Sequence, residues 1–306
     1  MAEQDPIEKM KMAHPVDAEL FGPIGAAAAH ICKDLAHCFV DKRFEFMDPA
    51  EYQAIGRPSE MMCIYWREML FRVYWAAALN LMRHQRWQAG CVGAFNAPAN
   101  LLAFAASLRG LLEAAPDAWY SLRQAPGLLA ENRHVIEAAL NRSADKFGIN
   151  QEFEDRLIHF IYARKVGKSE KEMTPDSHIA RAPKDYRNSI GLPDDEREAL
   201  NELYDELCGI CHPTVDSLTF LWEQETTGIR IREGLDDLHI RRICHKYERT
   251  IGYCLSLSVT LSALCLKALN LFSLPETRCP QIERWDFNAI PAWRKAQAAA
   301  SRGTVQ

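Results

Sequence analysis

The 306-residue sequence lacks several features that mark exported, nucleotide-binding and hydrolytic proteins. Residues 1–20 contain no apolar run of the signal-peptide type, which favours a cytoplasmic protein. The P-loop, the dinucleotide-binding glycine motif, the nucleophile elbow and the HExxH zinc motif are all absent from the sequence, so the common enzymes that use them have no support. The net charge of −5 argues against a broadly basic nucleic-acid surface, although a local basic patch remains compatible with it.

Glycine and proline are also scarce, with 15 of each, and few segments alternate apolar with polar residues. Apolar residues instead recur at helical spacing through most of the chain, which predicts an all-α helical bundle with long helices. We expect a flexible N-terminal tail over 1–15 and a single helical domain over 16–272. The C-terminal tail, 273–306, is expected to pack on the bundle or on a second subunit, with its last residues disordered.

The same periodicity predicts the positions of the individual helices. They are expected at about 18–47, with a bend near Gly22, and at 59–87, 99–122, 128–147, 151–165, 193–212 and 235–272. Gly90 and Gly93 predict a break after the second helix. Apolar residues on either side of Thr226 and Thr227 predict a short β-hairpin within 218–232.

Residues 251–266 are strongly apolar, which raises the question of a membrane span. The run is shorter than the ~20 residues that a span needs. The charged residues 235–249 lead into it without a break. We therefore expect one helix that is amphipathic at its start and buried at its end, and no membrane contact.

Residues 166–192 have almost no apolar periodicity and are expected to form a charged loop insertion. Basic and acidic side chains are mixed along this segment. Its composition fits a solvated loop, and it also fits a lid that binds phosphate groups. In the second case the substrate-binding residues are expected to be Lys168, Lys171, Arg181 and Arg187.

The segment from Pro193 to Pro213 contains a helix start, an apolar stripe and a helix stop. A proline followed by three acidic residues is typical of a helix N-terminus. Pro213 disfavours helical backbone at the residue before it, so the helix is expected to end at or just before His212. If the last turn is helical, Tyr204, Cys208 and His212 lie on one face.

Cys208, Cys211 and His212 match the CxxCH pattern of c-type haem attachment, but such attachment belongs to exported proteins. A redox role is also disfavoured, because the dipole at a helix C-terminus opposes thiolate formation. A zinc site completed by Cys244 or His245 stays open, beside simple packing of small residues. We predict no metal and no cofactor.

Arg109 and Glu113 lie one helical turn apart in the apolar stretch FAASLRGLLEAA, residues 104–115, so the pair is expected to be partly buried. A charge in such surroundings is costly unless it has a partner. We therefore expect Arg109, Glu113, Tyr204 and His212 to converge in one polar pocket between two helices. These four side chains are the candidate catalytic residues.

The helix with SLRGLLEAA, the later helix that ends YDELCGICHP and the long closing helix resemble the HEPN-like group of bacterial all-helical proteins. The resemblance covers about residues 57–272 and rests on Arg109, Glu113, Tyr204, His212 and Pro213. It implies a four- or five-helix bundle that is often a homodimer. It also implies a metal-independent ribonuclease of toxin–antitoxin, CRISPR-associated or antiviral defence systems, with RNA and a partner protein encoded nearby as its partners.

The catalytic signature of that group is R-x(4–6)-H, in which His212 matches the histidine. The positions where the arginine is expected hold Asp205, Glu206 and Leu207, and an acidic side chain there repels phosphate. Two hypotheses follow. In the first, the protein is an RNA-associated HEPN-like protein, and it could be a degenerate metal-independent ribonuclease. In the second, it is a non-enzymatic helical protein that binds a protein partner or small ligand, and its buried polar cluster is structural.

Overall fold

The structure is a computed structural model that describes residues 15–39, 41–96, 98–144 and 148–302. The predicted N-terminal tail lies outside these residues apart from Pro15. Residues 303–306, the end of the C-terminal tail that we expect to be disordered, lie outside them as well.

The all-α prediction is confirmed, since 73% of the protein is helical, with eleven substantial helices and one small antiparallel hairpin in the described ranges. The helices are α1 (Pro15–Ala36), α2 (Pro49–Gln53), α3 (Pro58–Phe95), α4 (Leu101–Leu122), α5 (Ala125–Glu131), α6 (Arg133–Leu140), α7 (Gln151–Tyr162), α8 (Lys168–Lys171), α9 (Pro183–Ser189), α10 (Asp194–Cys211), α11 (Asp236–Lys246), α12 (Glu248–Leu269) and α13 (Pro291–Arg302). Helices α2 and α8 are short, with five and four residues, and the others are the eleven substantial helices. The strands are β1 (Trp222–Glu225) and β2 (Gly228–Ile231).

The distances between Cα atoms divide the chain into two compact units. Unit 1 contains the described residues of Met1–Asp34, Leu81–Asp117 and Pro183–Val259. Unit 2 contains those of Leu35–Asn80, Ala118–Ala182 and Thr260–Gln306. The organisation into one helical domain over 16–272 stays a prediction.

Helix α10, in unit 1, forms as its sequence predicts. Its apolar stripe, which comprises Leu200, Leu203, Leu207 and Ile210, is buried. Pro193 occupies the N-cap position, and His212 is the C-cap, with the extended backbone angles φ −97° and ψ 160°. The helix therefore ends before the residue that precedes Pro213, because proline disfavours helical backbone there.

The predicted hairpin is also present in unit 1. Trp222 pairs with Ile231 and Gln224 pairs with Ile229, so these four side chains share one face of the two-stranded sheet. Thr226 and Thr227 form the connecting turn, as the sequence predicts.

The break after the second helix comes later than predicted, since α3 continues past Gly90 and Gly93 to Phe95 and α4 begins at Leu101. Gly90 and Gly110 have a different role within unit 1. A Cβ atom on Gly90 would lie 2.7 Å from the Oγ of Ser107, and one on Gly110 would lie 2.6 Å from the indole ring of Trp87. Glycine at these positions allows α3 and α4 to approach closely, and it does not end the helix.

The first helix ends earlier than predicted, at Ala36, although its bend at Gly22 is confirmed by a φ of 65°. The helix predicted over 128–147 is two helices, α5 and α6, that meet at Asn132, and 145–147 lie outside the described residues. The predicted closing helix is divided into α11 and α12 at Tyr247, whose phenol donates to Glu206 at 3.0 Å. Such a tertiary contact leaves no trace in apolar periodicity.

Residues 166–192 are more ordered than a solvated loop. They contain α8, a 3-10 turn at Asp176–His178 and α9. Arg164 and Glu170 form an ion pair before the turn, and Arg187 of α9 is buried. Polar contacts and one buried arginine order this segment, and neither appears as an apolar repeat.

The C-terminal segment belongs to unit 2. Phe287 and Trp293 are buried there, and α13 lies against α5. Helix α12 is the one helix in the described ranges that is long and apolar enough to cross a membrane. About three quarters of its most apolar window, 72%, is buried inside the protein, and the core helix of a soluble protein meets the same criteria.

Candidate functional site

Three of the four predicted catalytic side chains meet within unit 1. Arg109 and Glu113 lie on adjacent turns of α4, and the Arg109 Nε donates a hydrogen bond to the Glu113 Oε1 at 3.1 Å. Tyr204 on α10 donates its phenol to the same oxygen at 2.6 Å. The Arg109 guanidinium lies 5.4 Å from the centroid of the Tyr204 ring. One carboxylate oxygen thus holds a cation and a phenol together.

A second arginine completes this group, which we call the Tyr204 cluster: Arg109, Glu113, Arg187 and Tyr204. The Arg187 guanidinium, from α9, lies 3.8 Å from the Tyr204 ring centroid, and its Nε donates to the Oδ1 of Asn201 at 3.1 Å. Arg187 is only 7% exposed. Its Nη1 is buried without a hydrogen-bond partner among the described residues.

Burial and hydrogen bonding determine the protonation states of Tyr204 and Arg109. Burial raises the pKa of Tyr204, and the hydrogen bond to Glu113 raises it further, so the phenol is protonated at neutral pH. Burial lowers the pKa of Arg109, but the hydrogen bond to Glu113 and the neighbouring groups outweigh burial, so this pKa is raised overall. Two guanidinium groups and one carboxylate leave one positive charge in excess.

His212 lies at the end of α10 and is exposed. Its backbone N–H donates to the carbonyl of Cys208 at 2.9 Å. Its imidazole forms no hydrogen bond or ion pair with the described part of the chain. Because Pro213 holds His212 in extended backbone, the helical face that carries Tyr204 ends before it. The structure thus brings three of the candidate catalytic residues together and leaves the fourth in solvent.

The predicted substrate-binding residues do not form one group within either unit. Lys168 and Lys171 are exposed on α8, in unit 2. Arg181, also in unit 2, donates to the phenol of Tyr120 at 2.8 Å, and its guanidinium lies 4.2 Å from that ring centroid. Arg187 belongs to unit 1, where its contacts with Tyr204 could not be inferred from the composition of the segment.

Cys208 and Cys211 are free thiols, like the other eight cysteines. Burial raises the pKa of Cys211, which disfavours the thiolate that a redox or metal site requires. Among the residues that the structure describes, no three His, Cys, Asp or Glu side chains are grouped so that they could hold a metal ion. The zinc alternative with Cys244 or His245 therefore has no support.

Comparison with known proteins gives no relative. No family model, no curated protein and no solved structure matches this chain. The resemblance to the HEPN-like group therefore depends on the residues quoted from the sequence.

The Tyr204 cluster is better suited to bind an anion than to transfer a proton. The Arg109 side chain is 29% exposed, so an anion from solvent can reach a guanidinium whose position is set by Glu113 and Tyr204. Proton transfer near neutral pH needs a group with a pKa near the working pH. A phenol with a raised pKa does not meet that requirement.

Proposed function

We propose that the protein is a HEPN-like, RNA-associated protein of the defence or toxin–antitoxin type that binds an RNA phosphate at the Tyr204 cluster without cleaving the RNA. The observation that carries this proposal is the arrangement of Arg109. Its guanidinium is partly exposed and is held in place by Glu113 and Tyr204. Hydrogen bonds from a charged donor to a phosphate are stronger than those between neutral groups.

Arg187 supports this role although a phosphate cannot reach it directly. Its guanidinium covers one face of Tyr204, and its Nη1 is closed off from solvent. It adds positive potential behind the ring, and Glu113 cancels only one of the two arginine charges. The surplus charge would attract a phosphate to Arg109.

The residues around His212 do not favour cleavage of RNA. Glu206 stands where the ribonuclease motif expects arginine, and it accepts hydrogen bonds from Arg242 at 2.6 Å and from Tyr247 at 3.0 Å. That acid is therefore part of the contact between α10 and the α11–α12 junction. A catalytic imidazole needs a partner that orients it, and His212 is exposed at its helix end.

RNA binding is tested with Arg109→Gln and a labelled single-stranded RNA in fluorescence anisotropy. Loss of a charged hydrogen bond should weaken binding about tenfold or more. Arg133→Gln is the matched control, because Arg133 and Glu137 form an ion pair of the same spacing at 2.9 Å with similar exposure, in unit 2. Equal affinity of the Arg109 variant and the wild type would contradict the proposal.

The absence of cleavage is tested with the same RNA on a denaturing gel. We expect the RNA to stay intact with the wild type and with His212→Ala. RNA that is cut by the wild type and spared by a folded His212→Ala variant would instead make the protein an active ribonuclease.

A second candidate function, association with another protein chain, is favoured by the hairpin. Ile229 and Ile231 are 64% and 85% exposed on the same face as Trp222. Exposed apolar faces of this kind mark interaction sites. We take a second copy of this chain as the partner, because the resembled group is often dimeric.

This second candidate predicts that the wild type is a dimer in light scattering and that the double variant Ile229→Ser, Ile231→Ser is a monomer. Glu225→Gln is the control, since Glu225 lies on the opposite face of the hairpin, in an ion pair with Arg230. A monomeric wild type, or a dimeric double variant, would reject the hairpin as the dimer contact.

A further inference from the structure

Unit 2 contains a cavity of about 480 Å³ that the proposed function does not use. Sites for small molecules are typically ~300–1,000 Å³ in volume and mostly apolar, with a few polar groups that orient the ligand. The lining here has this mixed character. All of its residues belong to unit 2, so the cavity is a property of that unit alone.

The apolar part of the lining comes from two helices. Phe153 on α7 lines the cavity, as do Leu261 and Leu264 on α12, and all three residues are buried. None of the three has a polar side-chain atom. They therefore form a wall suited to an alkyl chain or an apolar ring, whose burial is favourable in proportion to the area removed from water.

The polar part of the lining includes Arg123, which follows α4. Burial lowers the pKa of Arg123 and the neighbouring Arg156 lowers it further, and these effects outweigh the opposite effects of Tyr120 and Glu152. The Arg123 guanidinium forms no ion pair with the described residues, and its Nη1 is buried, so an anion in the cavity would approach the other two nitrogens. Such an anion would give the guanidinium a partner of opposite charge.

The acidic residues in the lining balance Arg123 only in part, since Glu152 interacts with it electrostatically but forms no ion pair with it. Glu152 already accepts a hydrogen bond from Arg156 at 2.7 Å. Glu131 is exposed, and Lys295 of α13 balances its charge within the same lining. The incompletely balanced group is thus a guanidinium next to an apolar wall.

We propose that this cavity binds a small amphipathic carboxylate, with the carboxylate on Arg123 and the apolar chain against Phe153, Leu261 and Leu264. A guanidinium matches a carboxylate in shape and can donate two parallel hydrogen bonds to it. The amide of Gln124, which also lines the cavity, is a further donor.

Isothermal titration calorimetry with octanoate tests the proposal on the full chain. Octanol and octylamine, which keep the chain and change the head group, are the comparison probes. We expect octanoate to bind most tightly and Arg123→Gln to weaken it about tenfold or more, with Arg133→Gln unchanged as the surface control. Octanol or octylamine that binds as well as octanoate would overturn the proposal, and so would full octanoate affinity in the Arg123 variant.

A second variant guards against a fold defect in Arg123→Gln. Ala292 lines the cavity from α13 and is exposed, so Ala292→Trp should occupy the cavity while it leaves the core unchanged. We expect this variant to keep the wild-type melting temperature and to lose octanoate binding. Unchanged binding would show that octanoate sits elsewhere. RNA binding, which depends on Arg109 of unit 1, should be unaffected, so the two proposals fail independently.

Discussion

Tyr204 makes contacts of two kinds with three charged groups. Its phenol donates to Glu113, and its ring lies beside the guanidinium groups of Arg109 and Arg187. Arginine over an aromatic face is attracted by the ring quadrupole, more strongly when both groups are shielded from water. Tyr204 therefore contacts both guanidinium groups through its ring, in addition to the carboxylate through its hydroxyl group.

His84 in unit 1 is the residue from which we expect the clearest pH dependence. It is fully buried, and its Nε2 lies 2.6 Å from the Oγ of Ser258. Burial lowers the pKa of His84 to about 3. The unfolded chain binds this proton near pH ~6.5, whereas the folded protein does not.

The folded protein should therefore lose stability as the pH falls below ~6.5, and the loss should continue toward pH ~3. In urea unfolding, the wild type should lose roughly 1–2 kcal/mol more than His84→Gln between pH ~7 and pH ~5. His245→Gln, at an exposed position, is the control for the loss of a histidine side chain. Equal slopes for the wild type and His84→Gln would contradict the assignment.

At the scale of the elements, α3 and α4 approach each other closely in unit 1 where a glycine of one helix faces a side chain of the other. Gly110 lies against the ring of Trp87, and Gly90 lies against Ser107. A helix containing glycine is less stable by itself, by about 1 kcal/mol for each residue relative to alanine. The close contact between the helices must offset that cost.

Gly110→Ala should therefore destabilise the protein by roughly 1–3 kcal/mol in urea unfolding, because the added methyl group would overlap the Trp87 ring. Gly93→Ala is the matched control, since Gly93 is also within a helix and a Cβ atom there would meet no described atom within 4 Å. That variant should be more stable than the wild type by about 0.5–1 kcal/mol. A stabilised Gly110→Ala variant would contradict the close approach.

Helix α12 is apolar overall, yet two of its polar side chains are buried and hydrogen-bonded. Its Ser258 contacts His84 in unit 1, and its Ser262 accepts a hydrogen bond from Asn80 at 2.8 Å in unit 2. The two serines are four residues apart and therefore on one face. Both are fully buried, so this face is directed at protein groups that satisfy it.

At the scale of the whole molecule, the net charge of −5 constrains the proposed binding of RNA. An acidic protein has no long-range attraction for a polyanion, so binding must depend on a local group. The Tyr204 cluster presents one accessible guanidinium, that of Arg109.

RNA affinity should therefore depend weakly on salt. With one or two phosphates neutralised, the logarithm of the association constant should fall with a slope of about −0.7 to −1.4 against the logarithm of the salt concentration. Anisotropy titrations over a series of salt concentrations measure this slope. A slope several times steeper would show that an extended basic surface, and not the Tyr204 cluster, binds the RNA.

About half of the candidate site could be predicted from the sequence. The ion pair of Arg109 and Glu113 follows from their spacing on one helix. Their contact with Tyr204 is expected because these residues lie on helix faces flanked by apolar residues, although local periodicity does not determine which helices pack together. Arg187 falls in a segment predicted to be a loop, since a single buried arginine leaves no periodic signal. The cavity beside Arg123 has no sequence signal at all, because its lining comes from segments far apart in the chain.

The sequence by itself determined the helical class, the start and end of α10 and the hairpin turn. Each of these depends on residues within a few positions of one another, as Pro213 ends α10 through its effect on the preceding backbone. Tertiary structure alone decided whether a glycine ends a helix or lets two helices approach, and where the last long helix divides at Tyr247. The physical reason is that such outcomes depend on atoms brought together from distant parts of the chain, which local preferences do not encode.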